Sequence, residues 1–292
     1  MTFESLKFAF VVFFSYLCSV KAILEHIVAR LTPFYPKEEA RELAFWIIQE
    51  TTGMTRFDVC MNTDTKNIPN LEIILKKLSD YVPIQYIFGH TEWLGMDLRV
   101  SEATLIPRPE TAELVTHISN YTSHIIHHTS AIKVLDIGTG SGCIALALKQ
   151  RHPEWTVQGL DKSREALHIA RTNARNNHLD VEFFEADILS DDIPEYDLIV
   201  SNPPYIRPSE RCTMTENTLR YEPEEALFVP EDDPLLFYRR IAQLHRAPEL
   251  WFEISETQSD ALIQLLQSED YEAECMKDMY EKPRFIHARI SR

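Results

Sequence analysis

The amino-acid pattern predicts an α/β chain: a mostly parallel sheet with helices on both faces and an antiparallel hairpin at its C-terminal edge, joined to a small N-terminal helical bundle. Three observations carry that prediction. Short apolar runs alternate with helix-like segments from Ile132 onward. Before residue 83, apolar residues recur in three stripes at helical spacing. Three of the chain's seven glycines crowd into the five positions Gly138 to Gly142, directly after an apolar run.

The helical stripes come first. Ile23, Leu24, Ile27, Val28 and Leu31 form one, Ala40, Leu43, Ala44, Ile47 and Ile48 the second, and Leu71, Ile74, Leu75, Leu78 and Val82 the third, with Arg41, Glu42, Lys76 and Lys77 between apolar positions. Pro83 ends the third. Gln85 to Val100 then reads as a strand pair around Gly89 and Gly95. Ile106-Pro107-Arg108-Pro109-Glu110 follows; each proline disfavours helix in the residue before it, so the stretch runs extended until Pro109 opens a helix through Val115.

The strand candidates are Lys133 to Ile137, Thr156 to Leu160, Val181 to Glu185, Asp197 to Ser201 and Leu250 to Ile254. Their spacing leaves room for crossover helices, so these strands run parallel. Glu272 to Met276 and Arg284 to Ser291 have no long helix between them and form the edge hairpin. The domain plan is then 1–19, a hydrophobic extension; 20–83, a helical substrate-docking domain; 84–110, a β-hairpin and proline-rich connector; and 111–292, the chemistry-bearing domain.

Composition narrows the class. A formal net charge of -16 over 292 residues repels phosphate backbones and disfavours a bare nucleic acid as a stable partner. Cys18, Cys60, Cys143, Cys212 and Cys275 are odd in number, widely spaced and without a CxxC pair, as reduced cytoplasmic thiols are. Phe8 to Val20 is a 13-residue uncharged run, too short to span a bilayer. It reads as an extension of the first helix or as an upstream start; no membrane contact is expected.

Val134-Leu135-Asp136-Ile137-Gly138-Thr139-Gly140-Ser141-Gly142 is a strand ending in a glycine-rich turn. Missing side chains let the backbone turn sharply and approach a ligand at the carboxyl end of the sheet. Asp161, 23 positions beyond Gly138, ends the next strand, where an acid accepts from both ribose hydroxyls or else caps the next helix together with Ser163. Asp187 and Ile188 end the third, offering a carboxylate and an apolar face to adenine. Acids at successive strand ends favour a nucleoside.

Ser201-Asn202-Pro203-Pro204-Tyr205 ends the fourth strand. An amide nitrogen is a poor nucleophile because its lone pair is delocalised into the carbonyl, so approach geometry must supply much of the catalysis. The Asn202 side-chain oxygen and a rigid proline carbonyl can accept both of its N–H bonds. Tyr205 gives a planar group a flat face.

Gly138 to Gly142 together with Asn202 to Tyr205 resembles the class I methyltransferases, Rossmann-like enzymes acting on amide or exocyclic amino nitrogens. Pro83-Ile84-Gln85-Tyr86-Ile87-Phe88-Gly89, Ile106 to Thr111 and Arg220-Tyr221-Glu222-Pro223 resemble the HemK/PrmC family, the release factor glutamine N5-methyltransferases, from about residue 20 to the C-terminus. The resemblance implies that Gly138, Thr139, Gly140, Ser141, Gly142, Asp161, Asp187, Ile188 and Asn202 contact S-adenosyl-L-methionine. It implies that Asn202, Pro203, Pro204 and Tyr205 hold the glutamine of the GGQ loop of class 1 peptide chain release factors, that the helical domain docks the factor, and that a cytoplasmic monomer acts in translation termination. The chain departs from the family where glycines are usual: Val229 to Pro234 reads VPEDDP, and no glycine follows Gly159.

The rival enzyme is an adenine-N6 methyltransferase on DNA or RNA, since that amine is equally planar. A second rival is a cofactor-bound assembly factor without catalysis. His124, His127 and His128 have helix-face spacing but no acid or cysteine close by, so they read as a solvated linker and no metal is expected. Arg108 and Glu110 either orient the cofactor loop or pin the connector.

Overall fold

The computed structural model describes residues 19–61, 68–125 and 132–291. The run from Phe8 to Cys18, His127, His128 and the side chain of His124 lie outside the described residues. The chain divides into two compact units between Phe88 and Gly89.

The first unit is helical. In α1 (Val20–Leu31), capped by Ser19, residues Val20, Leu24, Ile27, Val28 and Leu31 are buried, as one face of a 3.6-residue repeat requires. α2 (Lys37–Thr52) buries Ala40, Ala44, Ile47 and Ile48 and stops at Gly53, whose φ of 73° is the left-handed conformation that ends helices. A reciprocal cap between Thr55 and Asp58 starts α3 (Arg56–Cys60). α4 (Leu71–Ser79) adds Ile74, Leu75 and Leu78 to the same cluster. Each fully buried aliphatic side chain contributes about 1.5–3 kcal/mol, which offsets the ordering of short helices that would not form alone.

The segment from Gln85 departs from the expected strand pair. Ile84–Phe88 is a helical turn, α5, because Ile84, Ile87 and Phe88 stand three and four apart and pack on the helical cluster. The strand pair begins only at β1 (His90–Trp93), which meets β2 (Met96–Arg99) through Leu94 and Gly95. Both turn residues have positive φ, the conformation that matches the twist of a two-residue hairpin. Trp93, Met96 and Leu98 pack into the core of the second unit.

α6 (Pro109–Ile125) runs well past Val115. β3 (Lys133–Ile137), α7 (Cys143–Arg151), β4 (Thr156–Asp161), α8 (Arg164–Asn176), β5 (Glu182–Glu185) and β6 (Leu198–Ser201) follow. After a 3-10 turn at Pro208–Thr213 come α9 (Glu216–Tyr221), α10 (Glu224–Leu227), α11 (Leu236–Leu244), β7 (Glu249–Glu253), α12 (Ser259–Ser268), β8 (Tyr271–Lys277) and β9 (Pro283–Ile290). The sheet order is β5-β4-β3-β6-β7-β9-β8. β3 to β7 pair in parallel and β9 joins β7 and β8 antiparallel, as the alternation and the closing hairpin required. Strand order reverses direction between β3 and β6, where open α/β sheets leave a crevice at their carboxyl ends.

The missing C-terminal glycines have a structural answer. His245, Asp270 and Glu281 take φ of 49°, 62° and 62° at turns where glycine would be unstrained. Val229 N–H donates to Ile206 at 3.0 Å, which fixes the start of the VPEDDP loop without glycine.

Candidate active site

Gly138, Gly140 and Gly142 have φ of 71°, 55° and 82°, so the backbone after β3 folds into a turn that side chains rarely permit. A Cβ on Gly142 would come within 3.1 Å of the Phe183 ring and 3.2 Å of the Ala170 Cβ. Gly159, which sequence reasoning passed over, is as constrained: its Cβ would lie 2.7 Å from Phe183 and 2.8 Å from Thr139 Oγ1. The amides of Gly138 and Thr139 both donate to the Leu160 carbonyl at 2.9 Å, tying the turn to β4.

Two acids serve this loop. Asp161 accepts from Gly140 N–H and from Ser163 N–H, each at 2.9 Å, so it braces the turn and the start of α8 at once. Burial raises its pKa above the ordinary carboxylate value, against the lowering effect of those hydrogen bonds. Asp136 is fully buried; its Oδ2 accepts from Thr139 Oγ1 at 2.6 Å and from Ala145 N–H at 3.2 Å, while Oδ1 has no partner. Burial pushes it up to about 7. An acid inside an otherwise apolar strand was its only signal in the sequence. Asn173 was missed too: buried in α8, it donates to the carbonyls of Ser141 and Arg99 and accepts from Arg99 N–H, joining the β-hairpin to the glycine turn.

The turn is one wall of a cleft of about 1060 Å³, its open mouth included. Gly138, Thr139, Ser141, Asp161, Asp187, Ile188, Asn202, Pro203 and Pro204 line it. Gly140 and Gly142 do not; they shape the turn from behind, Gly140 through its bond to Asp161. Asp187 spends Oδ1 on Leu189 N–H at 2.9 Å, and Ile188 is a buried apolar wall. A glycine turn that brings backbone to the cleft, an acid beside it and an apolar floor match a nucleoside bearing a polar tail. The residues therefore fit S-adenosylmethionine.

The Asn202 segment is fastened on several sides. Ser201 Oγ donates to the Ile137 carbonyl at 2.7 Å, and Gln258 Nε2 to the Tyr205 carbonyl at 3.0 Å. Asn202 Nδ2 donates to Thr111 Oγ1 at 3.2 Å, and Thr111 Oγ1 donates to Glu253 Oε2 at 2.6 Å. The Tyr205 hydroxyl donates to Glu253 Oε1 at 3.4 Å. Thr111 and Glu253 are each 2% exposed. Burial pushes Glu253 up to about 7 and raises the Tyr205 phenol as well. A second hollow, lined by Arg108, Asn202, Tyr205, Met214 and Glu253, adjoins the first at Asn202.

Arg108 pairs with the buried carboxylate of Glu222, which also accepts from Ile106 N–H at 3.1 Å. The connector is thus pinned to the segment before α10, and Arg108 still lines both hollows. Glu110 adds negative charge beside Glu253. Among the described residues no group of three potential metal ligands occurs, and no helix is long and apolar enough to cross a membrane.

A family model described as the methyltransferase small domain matches residues 114–227. The chain is 40% identical over 279 residues to the release factor glutamine methyltransferase of Bacteroides thetaiotaomicron, covering 91% of this chain and 98% of that protein. It is 38% identical, with the same coverages, to the enzyme of that name from Flavobacterium psychrophilum. It is 39% identical over 223 residues to the one from Streptococcus pneumoniae, covering 74% of this chain and 78% of that protein. With the parallel sheet, the glycine turn and the Asn202 segment in place, the chain belongs to the release factor glutamine methyltransferase family.

Proposed function

We propose that this chain methylates the side-chain amide nitrogen of the GGQ glutamine in class 1 peptide chain release factors, with S-adenosylmethionine as donor. The observation that carries the reading is the side chain of Asn202 standing where a nucleoside-shaped cleft meets a second hollow. The names of the relatives support the same reaction.

S-adenosylmethionine supplies an electrophilic methyl on a positively charged sulfur, which keeps the bonding electron pair when the methyl leaves. Gly138 to Ser141, Asp161, Asp187 and Ile188 would hold it. Asn202 commits Nδ2 to Thr111, which leaves Oδ1 free to accept an N–H of the substrate amide. A backbone carbonyl at Pro203 or Pro204 accepts the other. Two acceptors on one nitrogen orient its lone pair and stabilise the positive charge that grows on it as the N–C bond forms. The extra proton then passes to these acceptors or to water, leaving a neutral methylamide. Tyr205 bounds the hollow that receives the planar group, and the helical unit docks the rest of the factor.

Adenine would suit the same acceptors, but a net charge of -16 opposes a nucleic-acid substrate. A release factor places the enzyme in the cytoplasm, in keeping with the unpaired thiols of Cys60, Cys143, Cys212 and Cys275. Incubation with isotope-labelled donor, followed by mass analysis, tests the proposal. Transfer of the labelled methyl group to the GGQ glutamine is expected. Label in DNA or RNA would favour the adenine reading, and label nowhere would remove both.

A further inference from the structure

The oxygen and the amino group of an asparagine amide have nearly the same shape, so hydrogen bonding alone decides which one faces a cleft. For Asn202 the decision is made by two buried residues behind it. Glu253, at the end of β7, is an acceptor at both oxygens when ionised. Thr111, in the first turn of α6, has one proton and spends it on Glu253 Oε2 at 2.6 Å. Only lone pairs of Thr111 Oγ1 remain for Asn202, which must meet them with Nδ2–H, at 3.2 Å.

We propose that Thr111 and Glu253 are positioning residues that fix the orientation of the Asn202 amide, so that an acceptor and not a donor faces the substrate nitrogen. The proposal rests on the reading that Asn202 grips that nitrogen. Each residue is only 2% exposed, so loss of either partner leaves a nearly buried polar atom unsatisfied. Tyr205 gives its proton to the other oxygen of Glu253, so one carboxylate fixes Tyr205 directly and Asn202 through Thr111, two of the side chains that bound the second hollow.

A carboxylate does what a neutral amide cannot. Glutamine at position 253 could donate to Thr111 Oγ1, release the Thr111 proton toward Asn202, and turn the Asn202 amide over. Protonated Glu253 would do the same. Burial raises this acid to about 7; Thr111 and Tyr205 hydrogen bonds and Arg284 on β9 oppose the rise, and Glu110 on α6 adds to it. Ionisation favours the productive orientation, so turnover falls as pH drops below that value.

The test uses the full chain with a GGQ peptide. Glu253→Gln and Thr111→Val are expected to lower kcat roughly 10- to 100-fold, less than the roughly 100- to 1000-fold cost of removing an oriented polar group itself. S-adenosylhomocysteine affinity by calorimetry should change far less than kcat, the acid limb of the kcat profile should vanish in Glu253→Gln, and Thr111→Ser should restore turnover. In the wild-type protein without ligands, the Asn202 side-chain NH₂ resonances should titrate near neutrality, a readout independent of variant folding. Wild-type kcat in Thr111→Val, an acid limb retained by Glu253→Gln, or Asn202 resonances that do not titrate would overturn the proposal. An active Asn202→Ala would remove the underlying reading; an inactive one beside fully active Thr111 and Glu253 variants would remove the positioning role alone.

Discussion

The two halves of the cleft are built by opposite means. On the cofactor side, a continuous glycine turn presents backbone, and Asp161 braces it from the next strand. On the amide side, Asn202, Thr111 and Glu253 come from three distant segments and meet only through side chains. Backbone construction fixes shape through the turn itself; side-chain construction lets polarity be chosen atom by atom. The chemistry matches this division: binding a nucleoside needs shape, while activating an amide nitrogen needs acceptors aimed at its protons.

Three substitutions sharpen or break that contrast. The largest effect belongs to Asn202→Ala, which is expected to lower kcat at least about 100-fold with cofactor affinity reduced but measurable; undiminished turnover would show that the amide grip lies elsewhere. Gly142→Ala should act through stability. A Cβ there meets Phe183 at 3.1 Å in a backbone of φ 82°, so a loss of about 2 kcal/mol or more is expected in denaturant unfolding. A neutral effect would deny the turn its rigidity. Asp161→Ala is the mildest: it removes the acceptor of Gly140 N–H and should weaken cofactor binding about tenfold by calorimetry, since hydrogen bonds to charged groups contribute roughly 1.5–3 kcal/mol. An unchanged affinity would show that neither the Gly140 brace nor a ribose contact by Asp161 matters to cofactor binding.

The same division governs what can be read without coordinates. The turn was legible because its glycines adjoin in sequence and its strand announces itself as Val134 to Ile137. The parallel strands were legible within a residue or so from their apolar runs. Ile84–Phe88 was misread because aromatic and β-branched residues suit a strand, while their three- and four-residue spacing, which won in the fold, is short enough to overlook. Thr111 stood in plain view within the Ile106 to Thr111 motif but carried no role, and Glu253 lay inside the Leu250 to Ile254 run with nothing to mark it. Periodicity tells which face a residue takes; it does not tell which partner waits far along the chain.

That separation also has an entropic side. Thr111 and Glu253 stand 142 residues apart, and closing a loop of that length costs on the order of 4 kcal/mol beyond a fixed nucleation term. The turn after β3 and its brace from Asp161 close over 21 residues. The glycine turn and its brace are therefore a local closure, whereas the Thr111–Glu253 pair can form only once β7 has joined the sheet, so the proposed positioning of Asn202 depends on the C-terminal part of the chain.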